Sequence, residues 1–185
     1  FPELFQSLNI EAVDSYPSYL VDILKSLAPK KCKGDPKIVI LTPGHLNSAY
    51  YEHSFLADLM GVELVQGSDL YVNNNITYMK TTEGPKKIDI IYRRIDDEYL
   101  DPLYYKNDSL LGVPGIINSY KTGHVNICSA PGAGLADDKA VYTFMPDIIK
   151  FYLGEEPILK NIKTWRCYDV KESKYVINNL EKLVV

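Results

Sequence analysis

Two charged clusters carry the residue types most able to do chemistry: Arg93-Arg94-Ile95-Asp96-Asp97-Glu98, and Gly132-Ala133-Gly134-Leu135-Ala136-Asp137-Asp138-Lys139. A guanidinium grips a carboxylate or phosphate through two parallel N–H bonds. If a strand runs through the arginines, alternation sends Arg93 and Arg94 to opposite faces. One can then clamp an anion while the other pairs with Asp96, Asp97 or Asp101. The same charges also fit an ion-pair network closing a strand, or a divalent cation held by the acids, although their spacing matches no dedicated metal loop. In the second cluster, Gly132 and Gly134 let backbone approach a phosphate. Lys139 would sit in the first turn of a helix, where a cation opposes the macrodipole. A phosphate-contacting lysine follows as a hypothesis beside the plainer one, a solvated lysine paired with Asp137 or Asp138. The cluster is no P-loop, because no Lys-Ser/Thr pair follows the glycines.

A third group lies upstream. Glu52 falls in register with Phe55, Leu56 and Leu59, which predicts it on the inward side of a helix near its start, with His53 at the edge of that face. His45 belongs to the turn after the first strand, and His124 has no visible partner. No spacing supports a Ser-His-Asp or Cys-His arrangement.

The elements that must position these residues read as α/β. Residues 3–27 show helical spacing through Phe5, Leu8, Tyr19, Leu20, Ile23, Leu24 and Leu27, and a polar connector follows over 28–36. Residues 37–41 form the first strand. A turn capped by Asn47 or Ser48 leads to a helix from about Ala49 to Met60, ended by Gly61, and a second strand covers 62–65. This is a right-handed parallel βαβ beginning. Asn73-Asn74-Asn75 makes a hairpin tip between two short strands. The run from Ile88 to Tyr92 reads as a strand buried on both faces, with its charges at the carboxyl edge where open α/β sheets bind ligands. A helix from Pro114 to Tyr120 and a strand over 124–128 follow, then a glycine loop over 129–135. Asp137 or Asp138 caps a helix with inward Val141, Phe144, Met145, Ile148, Ile149 and Tyr152, which Pro146 kinks or splits. A short helix near Tyr175–Leu180 precedes Leu183–Val185, which would begin another strand.

The 185 residues are 46% hydrophobic and 24% charged, enough for a sizeable core. A net charge of −4 leaves no basic footprint for nucleic acid. No apolar run is long enough to span a membrane. Cys32, Cys128 and Cys167 are scattered, which fits a reducing cytoplasm better than a disulfide framework. The start at Phe1 and the stop on an apolar run suggest a fragment of a longer polypeptide.

Several blocks carry a resemblance: residues 47–53 (Asn-Ser-Ala-Tyr-Tyr-Glu-His), residues 61–70 (Gly-Val-Glu-Leu-Val-Gln-Gly-Ser-Asp-Leu), and residues 89–97 (Asp-Ile-Ile-Tyr-Arg-Arg-Ile-Asp-Asp). So do Asp101-Pro102, residues 108–115, residues 134–142 and residues 152–159, in colinear order over 38–185. Together they resemble the circularly permuted ATP-grasp proteins of type 2, bacterial proteins often labelled glutathionylspermidine synthetase-like. The resemblance implies ATP and magnesium converting a carboxylate, small-molecule or peptide, into an acylphosphate that an amine or thiol attacks. It implies a Rossmann-like, mostly parallel sheet flanked by helices, divided as helical preface and linker (1–35), pre-ATP-grasp domain (36–136) and the start of the ATP-grasp domain (137–185). By resemblance Lys139, with Gly132 and Gly134, touches nucleotide phosphate. Glu52, His53, Arg93, Arg94, Asp96 and Asp97 line the cleft for the carboxylate substrate, with all these charges meeting in one crevice. Family members commonly read Gly-Thr-Gly or Gly-Ser-Gly where this chain has Gly132-Ala133-Gly134, so one hydroxyl contact is missing. The family chain continues past position 185 with a lysine, a glycine-rich segment and acidic metal ligands, so the fragment alone is expected to bind no cofactor tightly and to be inactive. Two other readings compete: a non-catalytic module that binds a peptide or partner, and a metal-dependent hydrolase built on Asp96, Asp97 and Asp101.

Overall fold

The computed structural model describes residues 2–8, 10 and 12–184. They form two compact units, Phe1–Pro131 and Gly132–Val185.

β-branched runs flanked by turn residues build the first unit around two sheets. Strands β1 (Ile38–Leu41), β2 (Glu63–Val65), β6 (Ile90–Arg93) and β7 (Asn126–Cys128) make a parallel sheet in the order β2-β1-β6-β7. Strands β3 (Leu70–Asn73), β4 (Ile76–Met79) and β5 (Lys86–Lys87) make an antiparallel one. The β3–β4 hairpin turns on Asn74 and Asn75, both with left-handed backbone (φ 51° and 60°), the conformation that asparagine tolerates best after glycine. The strand expected from Ile88 to Tyr92 is shortened at its start. Lys86–Lys87 belongs to the antiparallel sheet, and β6 starts only at Ile90. Between them Asp89 turns inward, where Oδ2 accepts the Lys37 N–H at 3.1 Å and Oδ1 pairs with Lys87 Nζ at 2.6 Å.

Two buried clusters cover the two faces of the parallel sheet. On one face Val39, Leu41, Ile91 and Ile127 pack with Leu70, Met79, Leu100, Val113 and Ile116. That side holds helices α4 (Asp97–Leu100) and α5 (Ile116–Lys121). On the other face Ile38, Ile40 and Ile90 pack against Leu24 of α2 (Tyr16–Ser26) and Ala57 and Met60 of α3 (Tyr50–Met60). A short α1 (Pro2–Ser7) precedes them. Only Leu24 and Pro17 of α2 are fully buried, and Tyr19, Ile23 and Leu27, expected inside, are exposed. The connector is tied down: Lys31 Nζ donates to Thr122 O at 2.8 Å and lies 3.3 Å from His124 Nε2. His124 Nδ1 also meets Thr122 Oγ1 at 3.0 Å, two residues away, so of its two partners only Lys31 is a long-range contact.

The second unit contains α6 (Lys139–Tyr142), α7 (Met145–Leu153) and α8 (Val170–Ile177). Pro146 splits the expected helix and opens α7, where its missing N–H costs no hydrogen bond. Asp138 caps α6 by accepting the Ala140 N–H at 2.7 Å. No residue of these helices is buried, and Phe151 and Tyr152 are exposed, so the inward face expected over 141–152 has no core to meet among the described residues. The last helix starts five residues earlier than expected because Asp169, accepting the N–H groups of Lys171 and Glu172, caps it. Leu183 and Val184 are not in a strand, and Val185 lies outside the described residues.

Candidate functional site

In the first unit the candidates gather at the carboxyl rim of the parallel sheet. The chain leaves β1 for β2 through α3, then returns on the other side of β1 as β6. Strand order therefore reverses between β1 and β6, the place where open α/β sheets take ligands. Hydrogen bonds from Thr42 N to Val65 O (2.9 Å) and from Arg94 N to Leu41 O (2.8 Å) carry the ladder one residue past each strand. Thr42 thus continues the face of Ile38 and Ile40, and Arg94 that of Ile90 and Tyr92.

The two arginines do divide by face, and their surroundings differ. Arg93 Nε donates to Ser129 O at 2.7 Å, Nη1 to Ile95 O at 2.7 Å and Nη2 to Ala130 O at 3.2 Å. Nη2 also lies 2.8 Å from Asp97 Oδ1, and the side chain is only 8% exposed. Arg93 is therefore a strut that joins β6, α4 and the segment after β7. Arg94 is exposed, and its guanidinium makes no hydrogen bond or ion pair among the described residues; it lies 5.9 Å from the Tyr92 ring centroid. Asp96 is exposed and precedes α4 without capping it through its side chain.

Asp101 is neither an ion-pair partner nor a ligand in waiting. It is 0% exposed, with Oδ1 accepting the N–H groups of Leu103 (3.0 Å) and Gly115 (3.1 Å) and Oδ2 that of Ile117 (3.0 Å). Gly115 has no side chain to cap α5, and Asp101 supplies the cap from fourteen residues upstream. Among the described residues no three His, Cys, Asp or Glu side chains are placed to hold a metal ion. This removes the geometric support for a hydrolase centred on Asp96, Asp97 and Asp101.

The inward face of α3 is one residue off the expected one. His53, Ala57 and Met60 are buried, while Glu52 is exposed and Phe55 and Leu59 are 52% and 54% exposed. Tyr51 and Phe55 stack on the outside, with ring centroids 6.0 Å apart. The helix carries apolar residues on both sides, so its pattern alone does not choose. Neither Asn47 nor Ser48 caps it: Asn47 Oδ1 accepts the Ala49 N–H at 2.9 Å, a turn just upstream. His53 is 3% exposed, with Nδ1 2.9 Å from Thr42 Oγ1, which itself accepts the Gly44 N–H at 3.2 Å.

Burial pushes the His53 imidazole below its ordinary 6.5, the Arg94 charge adds to this, and Glu52 opposes it. The folded state therefore favours the neutral ring. Its stabilisation is complete above the unfolded value and is lost as pH falls below 6.5 through the depressed folded value. The expected result is that His53→Gln flattens the fall in unfolding free energy between about pH 7.5 and about pH 5. Urea denaturation across that window checks it, and an unchanged slope would assign the pH dependence elsewhere. Cys128 offers no nucleophile, because burial pushes its thiol up.

In the second unit Gly132, with φ +90°, precedes a 3-10 segment over Ala133–Asp137 that contains Gly134. The expected open glycine loop is thus partly wound into a helical turn. Lys139 starts α6, which is one turn long, so the unfavourable macrodipole inferred for it is small. It is not tied to Asp138, whose carboxylate takes the Ala140 N–H. Lys139 instead lines an open cavity of about 790 Å³ with Tyr142, Lys163, Trp165, Lys182 and Leu183. Sequence spacing could not bring these cations together, because the segments that carry them are joined by irregular chain.

Comparison with known proteins gives this geometry a family. The chain is 49% identical to an uncharacterised protein of Synechocystis sp. over 185 residues, all of this chain and 38% of that protein. It is also 49% identical to an uncharacterised protein of Mycobacterium tuberculosis, again over its full length and 33% of the relative. A Frankia alni protein with the provisional name glutamate–cysteine ligase 2-3 is 36% identical over 184 residues, 21% of its own length. The chain thus spans about a third of the length of these uncharacterised relatives. The family described as circularly permuted ATP-grasp type 2 matches residues 1–185, and the chain belongs to that family.

Proposed function

We propose that this chain is part of an ATP-dependent ligase that joins a carboxylate to an amine or thiol. In such a reaction a carboxylate oxygen takes the terminal phosphoryl group and ADP leaves. The amine or thiol then attacks the acyl carbon and phosphate departs. Family membership and the ligase name of the Frankia relative support the reaction class. The observation that carries the reading in this chain is the Lys139 cavity. Lys139, Lys163 and Lys182 line it together with Tyr142, Trp165 and Leu183. A nucleotide needs that combination, cations for phosphate and apolar surface for a base. On this reading Lys139 contacts nucleotide phosphate, while Gly132 and Gly134 shape the approach. Among the described residues no group of three histidine, cysteine or acidic side chains is placed to hold magnesium.

The further assignments are of the same kind. Glu52, His53, Arg94 and Asp96 belong to the substrate side, and the three cysteines, free in the structure, suit a cytoplasmic protein. No helix among the described residues is long and apolar enough to cross a membrane. In the complete protein Lys139→Ala is expected to reduce ATP-dependent ADP release at least about tenfold while leaving thermal unfolding unchanged, because the side chain is exposed and unpaired among the described residues. Phosphate-release assays against pooled amino acids, peptides and amines provide the measurement. Undiminished turnover would take Lys139 out of the nucleotide site.

A further inference from the structure

The carboxyl rim of β1 and β6 holds an arrangement that the nucleotide reading leaves unused. Thr42 and Arg94 follow adjacent parallel strands and continue the same face of the sheet. His53 comes down onto that face from α3 and meets Thr42. Three features distinguish this corner from an ordinary surface. First, Arg94 has no acceptor among the described residues, whereas Arg93, next to it in sequence, has three carbonyls and a carboxylate. The rim therefore keeps one guanidinium for structure and leaves one free. Second, the Arg94 guanidinium lies over the Tyr92 ring at 5.9 Å, which limits its directions without occupying its N–H groups. Third, His53 is 97% buried by the complement of its 3% exposure, with Nδ1 on Thr42 and no hydrogen-bond partner for Nε2 among the described residues. Thr42 Oγ1, already accepting the Gly44 N–H, can give its own proton to Nδ1, which leaves Nε2 as a donor.

A free guanidinium and a ring donor on one face of the sheet, at the point where strand order reverses, suit a small oxyanion. Arg94 contributes a planar fork rather than a point charge, and that fork matches the two oxygens of a carboxylate. We infer that Arg94, with His53 as the positioning donor held by Thr42, binds the carboxylate of an organic acid at the β1–β6 rim. Its identity as the ligase's substrate carboxylate rests on the function proposed above; the anion site itself does not. Arg93 takes no part in binding and fixes the backbone on which Arg94 stands.

The test uses the complete protein with 3-fluorotyrosine at position 92, whose ring reports on Arg94. Its fluorine resonance is followed while sodium glutarate, inorganic phosphate or sodium chloride is added at constant ionic strength. Glutarate is expected to shift the resonance saturably in the millimolar range. Arg94→Gln should weaken that binding about tenfold or more and His53→Gln about threefold, whereas Arg94→Lys should retain part of it. Thermal unfolding of each variant establishes that it is folded. Equal glutarate affinity in wild type and Arg94→Gln overturns the inference, and so does saturation by phosphate but not by glutarate. ATP-dependent ADP release separates the two readings. Arg94-dependent glutarate binding in a protein that releases no ADP from ATP with any amine or thiol would keep this site and remove the ligase reading. Lys139-dependent ADP release with glutarate binding indifferent to Arg94 would do the reverse.

Discussion

Asp101→Ala is expected to lower the unfolding free energy of the first unit by about 4 kcal/mol. The carboxylate is fully buried and accepts three backbone N–H groups, those of Leu103, Gly115 and Ile117. A methyl group in its place leaves all three donors without an acceptor in a site closed to water. Each orphaned donor costs about 1–3 kcal/mol, and partial relaxation brings the sum below the simple total. Asp101→Asn separates hydrogen bonding from charge. Its amide oxygen can keep Leu103 and Gly115, but its NH₂ group then faces the Ile117 N–H, so a loss of about 2 kcal/mol is expected. Urea denaturation of the two variants gives the ranking. If alanine costs less than about 1 kcal/mol, Asp101 does not cap α5.

Gly112→Ala should be of comparable severity, at about 3 kcal/mol or more. A Cβ built on Gly112 would stand 2.1 Å from the Tyr99 carbonyl oxygen and 2.4 Å from that of Leu100. Both obstacles are backbone; Leu100 O is bonded to Val113 N at 2.9 Å and Tyr99 O to Ser109 Oγ at 2.8 Å, so neither can turn away without breaking a hydrogen bond. Gly67 repeats the situation one layer on, where a Cβ would meet Leu111 O at 2.3 Å and Gly112 O at 2.5 Å. Three passes of main chain are stacked there without room for a methyl group. Thermal unfolding of Gly112→Ala and Gly67→Ala checks this, and midpoints equal to wild type would show that the passes can separate.

What could be read in the sequence was local. The β-branched run at Ile38–Leu41, the asparagine turn at Asn74–Asn75, the glycine that ends α3 and the proline that divides α6 from α7 each act within a few residues. The parallel order of the main sheet followed from those pieces because a βαβ unit has one favoured hand. The misreadings have a common cause, contacts set by the fold rather than by neighbours. Asp101 reads as one of several clustered acids until α5 is brought beside it. His53 and Ala57 read as less core-like than Phe55 and Leu59, yet the smaller, more polar side fits against β1. For the site, the alternation of Arg93 and Arg94 was legible, but which of them would be occupied was not. That depends on carbonyls of Ser129 and Ala130, more than thirty residues away.

The contrast between the two arginines also bears on how this scaffold can change. Arg93 is bound into the architecture, so altering it disturbs three segments at once. Arg94 stands on the same strand, one pleat over, and its replacement leaves those bonds in place. The anion site proposed at Arg94 can therefore be altered at one position while the frame that presents it keeps its bonds.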